Sequence, residues 1–152
     1  MFRKRTTKFH QGIYRIHYKE KYKGNINNCI YRSGLELTAF RFLDHNPHVL
    51  EWSSEEVIIP YKNPLTGKIH RYFVDLYAKI QNKNGEVKKY LIEIKPYSQT
   101  FPPKSSRNTK GLLKRQAEYV KNRAKWDSAE QYSKQKGMIF TILTEKHLLT
   151  KK

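Results

Sequence analysis

Three residues in the middle of the chain have the types and spacing for metal-assisted phosphate chemistry. Glu93 and Lys95 sit two apart in Tyr90-Leu91-Ile92-Glu93-Ile94-Lys95, a run that otherwise reads as a buried strand, and Asp75 lies in an apolar segment just upstream. Alternation along a strand puts Glu93 and Lys95 on one face and Ile92 and Ile94 on the other. Charges on so apolar a strand are costly unless they hold something. Two carboxylates can hold Mg²⁺ (or Mn²⁺), a hard cation that keeps several of its waters. Such an ion lowers the pKa of a bound water and stabilises charge on a scissile phosphate. A lysine beside it can orient or help deprotonate that water, or stabilise the developing charge. The pattern D…ExK therefore points to phosphodiester hydrolysis. An exposed cross-strand charge pair would give the same letters, so ExK alone is a weak signal.

The carboxylates need a hairpin to bring them together. Arg71 to Ile80 reads as one strand, Lys88 to Lys95 as the next, and Asn84-Gly85 as the tip between them. A strict two-residue loop at Asn84-Gly85 would oppose Asp75 to Ile94. A turn centred on Asn84 opposes Asp75 to Glu93 instead, so the site requires an odd-length loop or a bulge. A third carboxylate comes from a helix expected to start at the N-cap Ser33, run to about Leu43 and end at Asn46-Pro47. Glu36 shares a stripe of that helix with Phe40 and Leu43, where an apolar residue is normal. It could be a boundary residue paired with Arg32; with Asp75 and Glu93 downstream, metal ligation or indirect support of the metal is favoured. Glu55 and Glu56 precede a strand and could contribute too, although surface placement is the default for such a pair.

The remaining elements form one frame. Residues 1–30, basic and tyrosine-rich, read as an arm or irregular lead-in, and 31–152 as the folded core. Val57 to Tyr61 reads as a short strand, Asn63 to Gly67 as a turn, and 96–110 as a proline-rich loop. Gly111 to Lys136 reads as a long basic helix burying Leu113, Ala117, Val120 and Ala124, closed by Gly137. Met138 to Leu143 is a strand and Glu145 to Leu149 a short helix. The order α-β-β-β-α-β describes a single α/β unit.

Charge narrows the partner. The 152 residues carry 31 Lys+Arg against 13 Asp+Glu, a net +18, and a chain this basic most plausibly meets a polyanion, nucleic acid being the commonest. The basic residues flank a carboxylate-bearing centre: 1–25 and 104–136 are lysine- and arginine-rich, whereas eight acids fall in 26–103. Flanks that hold phosphate around a centre that holds cation would look like this; solvated faces would too. Candidate DNA contacts are Arg32, Lys23 and the helix residues Lys114, Arg115, Gln116, Lys121, Arg123 and Lys125, with Tyr119 as another polar helix residue that could face the site. Cys29 is the only cysteine, which excludes an internal disulfide and a cysteine-based zinc site. The six histidines lack ligand spacing. No apolar run reaches membrane-spanning length and no signal peptide is evident, so the chain is expected to act in a cytoplasm.

Taken together these residues resemble the PD-(D/E)XK nuclease superfamily, in which a helix glutamate precedes a hairpin bearing D and (E/D)xK. More closely, the chain is similar to the head-completion nucleases of T4-like tailed phages, themselves similar to the endonuclease subunit of heteromeric transposases. The matching stretches are Lys21-Tyr22-Lys23-Gly24, Tyr31-Arg32-Ser33, Trp52-Ser53-Ser54-Glu55-Glu56, Ile59-Pro60-Tyr61, Arg71-Tyr72-Phe73-Val74-Asp75, Ile92-Glu93-Ile94-Lys95-Pro96 and Lys125-Trp126. The resemblance implies a restriction-endonuclease-like α/β domain with a mixed central sheet, flanking helices and the site on a β-hairpin. It implies the catalytic set Glu36, Asp75, Glu93 and Lys95, the three carboxylates being the metal ligands. Val74 stands where the superfamily usually has proline before the aspartate. The resemblance also implies action with little sequence specificity on packaged double-stranded DNA as a filled head becomes competent to join its tail. The setting would be the cytoplasm of the infected host or the virion, with portal or neck proteins as partners. Two alternatives stand beside a nuclease: a non-catalytic DNA-binding component of the head or neck on an inherited nuclease fold, and a transposase-type or junction-cleaving endonuclease. Endo- or exonucleolytic mode and oligomeric state are not written in these residues.

Overall fold

The computed structural model describes residues 11–104 and 107–149. A short strand β1 (Gly12–Ile13) pairs with β2 (Ile30–Tyr31), and a 3-10 turn, Lys19–Lys21, lies between them. Helix α1 (Gly34–His45) starts as expected: Ser33 is extended and its hydroxyl accepts the Glu36 N–H. Strand β3 (Val49–Ser54) follows, then a hairpin of β4 (Ile58–Lys62) and β5 (Ile69–Phe73). Next comes the hairpin of β6 (Leu76–Gln81) and β7 (Val87–Ile94), and a second 3-10 turn, Tyr97–Gln99. Helix α2 (Lys110–Lys136) is capped by the Thr109 hydroxyl and closed by Gly137, whose φ of +71° suits glycine. Strand β8 (Ile139–Leu143) and helix α3 (Glu145–Leu148) complete the described chain.

The central sheet has the order β3-β6-β7-β8, antiparallel except for β7 with β8, so it is mixed. Its two faces bury separate cores. On one, Phe40 and Leu43 of α1 pack with Trp52, Leu76, Ala78, Ile92 and Ile94. On the other, Trp126 and Ala129 of α2 pack with Leu91, with Ile59, Tyr61 and Tyr72 of the β4–β5 hairpin, and with Val74 just after it. The α/β class and flanking helices follow the sequence reading. Among the described residues no helix is long and apolar enough to cross a membrane.

Four local expectations need correction. Arg71 to Ile80 is not one strand but β5 and β6, broken at Val74-Asp75. There the Val74 N–H bonds to Val57 and the Asp75 carbonyl accepts the Glu55 N–H, and the chain leaves one sheet for the other. Strand β3 was not anticipated, because Glu51, Ser53 and Ser54 hide it; Trp52 within it is fully buried. Helix α2 does not bury Leu113 or Val120, which are 58% and 42% exposed; it buries Leu112, Asn122, Trp126, Ala129 and Ser133. The last four are spaced by four, three and four residues, one helical stripe disguised by two polar members. Finally, 11–30 is not a loose lead-in: Tyr14, Ile16, Tyr22 and Cys29 belong to the α1-side core. Asp44 ties it there, accepting from the Tyr14 hydroxyl (2.7 Å) and the backbone N–H groups of His17 (2.8 Å) and Tyr18 (3.0 Å). Residues 1–10 of the expected arm lie outside the described residues.

Candidate active site

The β6–β7 hairpin decides whether the carboxylates meet. Leu76 pairs with Ile92, Tyr77 with Leu91, and so on to Gln81 with Val87. The loop between is therefore 82–86, odd in length and centred on Asn84, with Gly85 at φ +85°. One step beyond Leu76–Ile92, this register sets Asp75 opposite Glu93, on the same face as Tyr77 and Leu91, toward α2. The expected condition on the hairpin is met. Asp75 reaches across to β7, where its Oδ2 accepts the Ile94 N–H at 2.8 Å.

Glu93 is 5% exposed, unusual for a carboxylate. The Tyr72 hydroxyl donates to its Oε1 at 2.5 Å, and Lys95 Nζ lies 3.6 Å from its Oε2. Nothing in the sequence singled out Tyr72; alternation with Val74 on a strand facing the α2 core was the available signal. Burial pushes the Tyr72 phenol far above its usual range, and the neighbouring Glu93 charge pushes the same way. Burial likewise holds the Asp75 carboxyl well above the ordinary carboxylate range, helped by the charges of Glu93 and Glu36 and opposed by the Ile94 N–H and Lys95. Like charges are thus forced together, an arrangement that a cation relieves.

Glu36 joins this field without entering it fully. Its Oε1 accepts the Arg32 N–H at 2.9 Å while its own N–H bonds to Ser33 Oγ. The S-x-x-E pattern of a capping box stands in Ser33-Gly34-Leu35-Glu36, but the return bond goes to the Arg32 N–H and not to that of Ser33. Burial raises the Glu36 pKa, the Arg32 N–H lowers it, and Glu55 and Glu93 raise it again. Among the described residues no three carboxylate, imidazole or thiol groups come close enough together to enclose an ion. The fold offers the pair Asp75–Glu93, and a two-carboxylate seat completed by water and phosphate suits Mg²⁺.

Around this pair the other candidates fall into distinct positions. The Arg32 guanidinium does not pair with the Glu36 carboxylate; Glu55 holds it in a bidentate grip, at 3.2 and 3.0 Å. Glu55 has φ +57°, rare for a residue with a side chain, and its N–H bonds to the Asp75 carbonyl, so it braces both. Lys125 is partly buried, with Nζ 5.6 Å from the Tyr72 ring centroid and 5.8 Å from that of Tyr61. Burial lowers its pKa first; Lys121 and Lys95 add to that, while Glu93 opposes it. Lys125 therefore stands with the catalytic candidates and not on the outer surface. Lys121 pairs with Glu118 at 3.2 Å and Arg123 with Asp127 at 2.9 Å. Lys23, Lys114, Arg115 and Gln116 are exposed, and Tyr119 stacks edge-on against Trp126.

A family model described as "TnsA-like endonuclease N terminal" matches residues 46–145, from the end of α1 to the start of α3. The chain belongs to the TnsA-like endonuclease family. The head completion nuclease of Enterobacteria phage T4 is 37% identical over 130 residues, which is 82% of this chain and 84% of that protein. No solved structure shows a significant match. This TnsA-like chain is accordingly a nuclease-family protein with a single restriction-endonuclease-like domain. The matched span takes in Asp75, Glu93 and Lys95 and leaves Glu36 before it.

Proposed function

We propose that this endonuclease-family protein is a metal-dependent deoxyribonuclease with little sequence specificity that acts during phage head completion. The observation that carries the chemistry is the pair of half-buried Asp75 and buried Glu93, set opposite each other by the hairpin with Lys95 3.6 Å from Glu93. Asp75 and Glu93 would hold Mg²⁺ or Mn²⁺; bound there, the ion supplies charge stabilisation at the phosphate and acidifies water. The Ile94 N–H fixes Asp75, and Tyr72 fixes Glu93 through Oε1, leaving Oε2 for the site. Lys95 is placed to orient the attacking water or to stabilise the phosphate as charge develops. Lys125 adds a second positive charge on the α2 side. Glu36 acts from outside the ion's immediate ligands, through the field it shares with Asp75 and Glu93.

The net charge of +18 supports a DNA substrate held by its backbone. The T4 relative's name ties that protein to head completion, and the similarity supports the same step for this chain. Cleavage of linear and supercoiled DNA with Mg²⁺ or Mn²⁺ tests the reading. Asp75→Ala and Lys95→Ala are each expected to slow it by roughly 10²-fold or more. Equal rates for wild type and both variants would refute catalysis at this site.

A further inference from the structure

A cavity of about 180 Å³ opens between the segment that follows β7 and the flank of α2, lined by Gln99, Phe101, Pro103, Arg115, Tyr119 and Asn122 together with Ser98 and Glu118. Asn122 is its unusual member. It is only 4% exposed, yet its side-chain amide has no hydrogen-bond partner among the described residues. Its amide atoms are not sealed off as the buried ring N–H groups of Trp52 and Trp126 are, so the access they keep is through this cavity. Burying an amide without a partner is costly, and a helix stripe that packs against a core has no structural need for one.

The lining points to a class of occupant. Phe101 and Tyr119 offer flat apolar faces, on which a planar ring stacks. Gln99 and Asn122 each offer a donor and an acceptor, the complement of a nucleobase edge. Arg115 at the rim makes no ion pair among the described residues, and the Glu118 charge is already met by Lys121 at 3.2 Å. A simple anion would gain little beside Glu118, and a purely apolar ligand would leave the buried Asn122 amide unanswered. A void of ~150 Å³ accepts benzene, so this one has room for one base and not for a base pair.

Position ties the cavity to the chemistry. Asn122 lies three residues before Lys125, about 5 Å along the helix. Lys125 stands over Tyr72, which bonds to Glu93. On the opposite wall, Ser98 and Gln99 follow Lys95 by three and four residues. We infer that the cavity receives one unpaired nucleobase from a nucleotide neighbouring the phosphate that is cleaved beside Asp75 and Glu93. The enzyme then favours DNA with a frayed end or a mismatch over uninterrupted duplex, because a base already out of its pair is cheapest to place in a pocket. This rests on the nuclease reading above and adds a preference for substrate structure.

The test is binding of two duplexes in Ca²⁺, one carrying 2-aminopurine opposite an abasic position and one carrying it fully paired. Wild type should bind the first at least five-fold tighter, with a change in 2-aminopurine emission. Asn122→Leu should bring the ratio to within two-fold while holding or raising the melting temperature, because it removes an unpartnered amide; a merely structural Asn122 would lower it. Phe101→Ala, on the exposed rim, should also reduce the ratio and decides the matter if Asn122→Leu does not fold. Equal wild-type affinities with unchanged emission, as for a cavity that holds only water, would overturn the inference, as would a ratio that survives both substitutions. Cleavage of fully paired DNA by wild type reads the nuclease activity separately, so loss of one conclusion is distinguishable from loss of the other.

Discussion

Replacing Tyr72 by Phe isolates what holds the Glu93 carboxylate in place. The change removes one oxygen and leaves the ring beneath Lys125. The lost O–H···O⁻ bond is buried, 2.5 Å long and made to a carboxylate that is 5% exposed. Bonds of that kind contribute about 1.5–3 kcal/mol. For a domain of this length each kcal/mol moves the melting temperature by about 2–4 °C, so Tyr72→Phe should lower it by about 3–12 °C in EDTA. With Glu93 as the proposed metal ligand, the same bond would orient it, and losing such a partner typically weakens metal affinity or activity by about 10–100-fold. Cleavage rate against Mg²⁺ concentration should therefore shift its midpoint upward by about that factor. Near saturating Mg²⁺ the variant should recover most of its rate. An unchanged midpoint with a depressed plateau would show that Tyr72 acts on the reaction itself and not through Glu93. No change in either midpoint or melting temperature would refute the bond's importance.

Asp75→Asn should separate stability from activity. Because burial, Glu93 and Glu36 raise the Asp75 pKa in the folded protein, stability falls as pH rises from the unfolded carboxyl range, about pH 4, through the folded pKa. The asparagine variant should thus melt higher than wild type in EDTA near neutral pH, lose that advantage at about pH 4 and below, and fail to cleave; a lower melting temperature at neutral pH would contradict the crowding of charge. Asp44 has the opposite sign. Burial raises its pKa, but the bonds from His17, Tyr14 and Tyr18 outweigh that and leave it lowered, so its stabilisation is present above about pH 4 and is lost as acid protonates it in the folded state. Asp44→Ala strands three donors and should cost about 3 kcal/mol or more, roughly 1 or more for each, read by thermal melts; a loss below about 1 kcal/mol would mean that 11–30 is held by other contacts. Lys125→Ala should reduce the slope of log affinity against log salt by about 0.9 if its ammonium meets a phosphate, and leave the slope unchanged if it does not.

The parts of this molecule that were legible in its sequence are those governed by neighbours along the chain. Ser33, Asn46-Pro47 and Gly137 marked helix ends through local bonding and backbone preference, and alternation in 88–95 placed Glu93 and Lys95 on one face. The odd loop was readable as a condition, though not as a fact, because loop length depends on pairing that propensity does not determine. What was hidden depends on distant partners. Trp52 lies between polar residues whose burial comes from two layers at once. The break at Val74-Asp75 exists because Glu55 and Val57 take its backbone groups. The tyrosines of 11–30 look like surface residues until Asp44 and Trp52 are beside them. Asn122 and Ser133 concealed the buried stripe of α2, and with it the cavity.

The register of the β6–β7 hairpin has a consequence for how such a protein can drift. Loops usually tolerate insertions, and 82–86 lies at the far end of strands about 20 Å long from the carboxylates. A one-residue slip in pairing would nevertheless turn Asp75 away from Glu93 at that distance. The same slip would turn one strand's inward residues, Leu76 and Ala78 of β6 or Ile92 and Ile94 of β7, out of the α1-side core. Misalignment of the chemistry is therefore penalised through residues that take no part in it. A lineage can rewrite the tip of this hairpin freely and still inherit an aligned site, because selection for a dry core keeps count on its behalf.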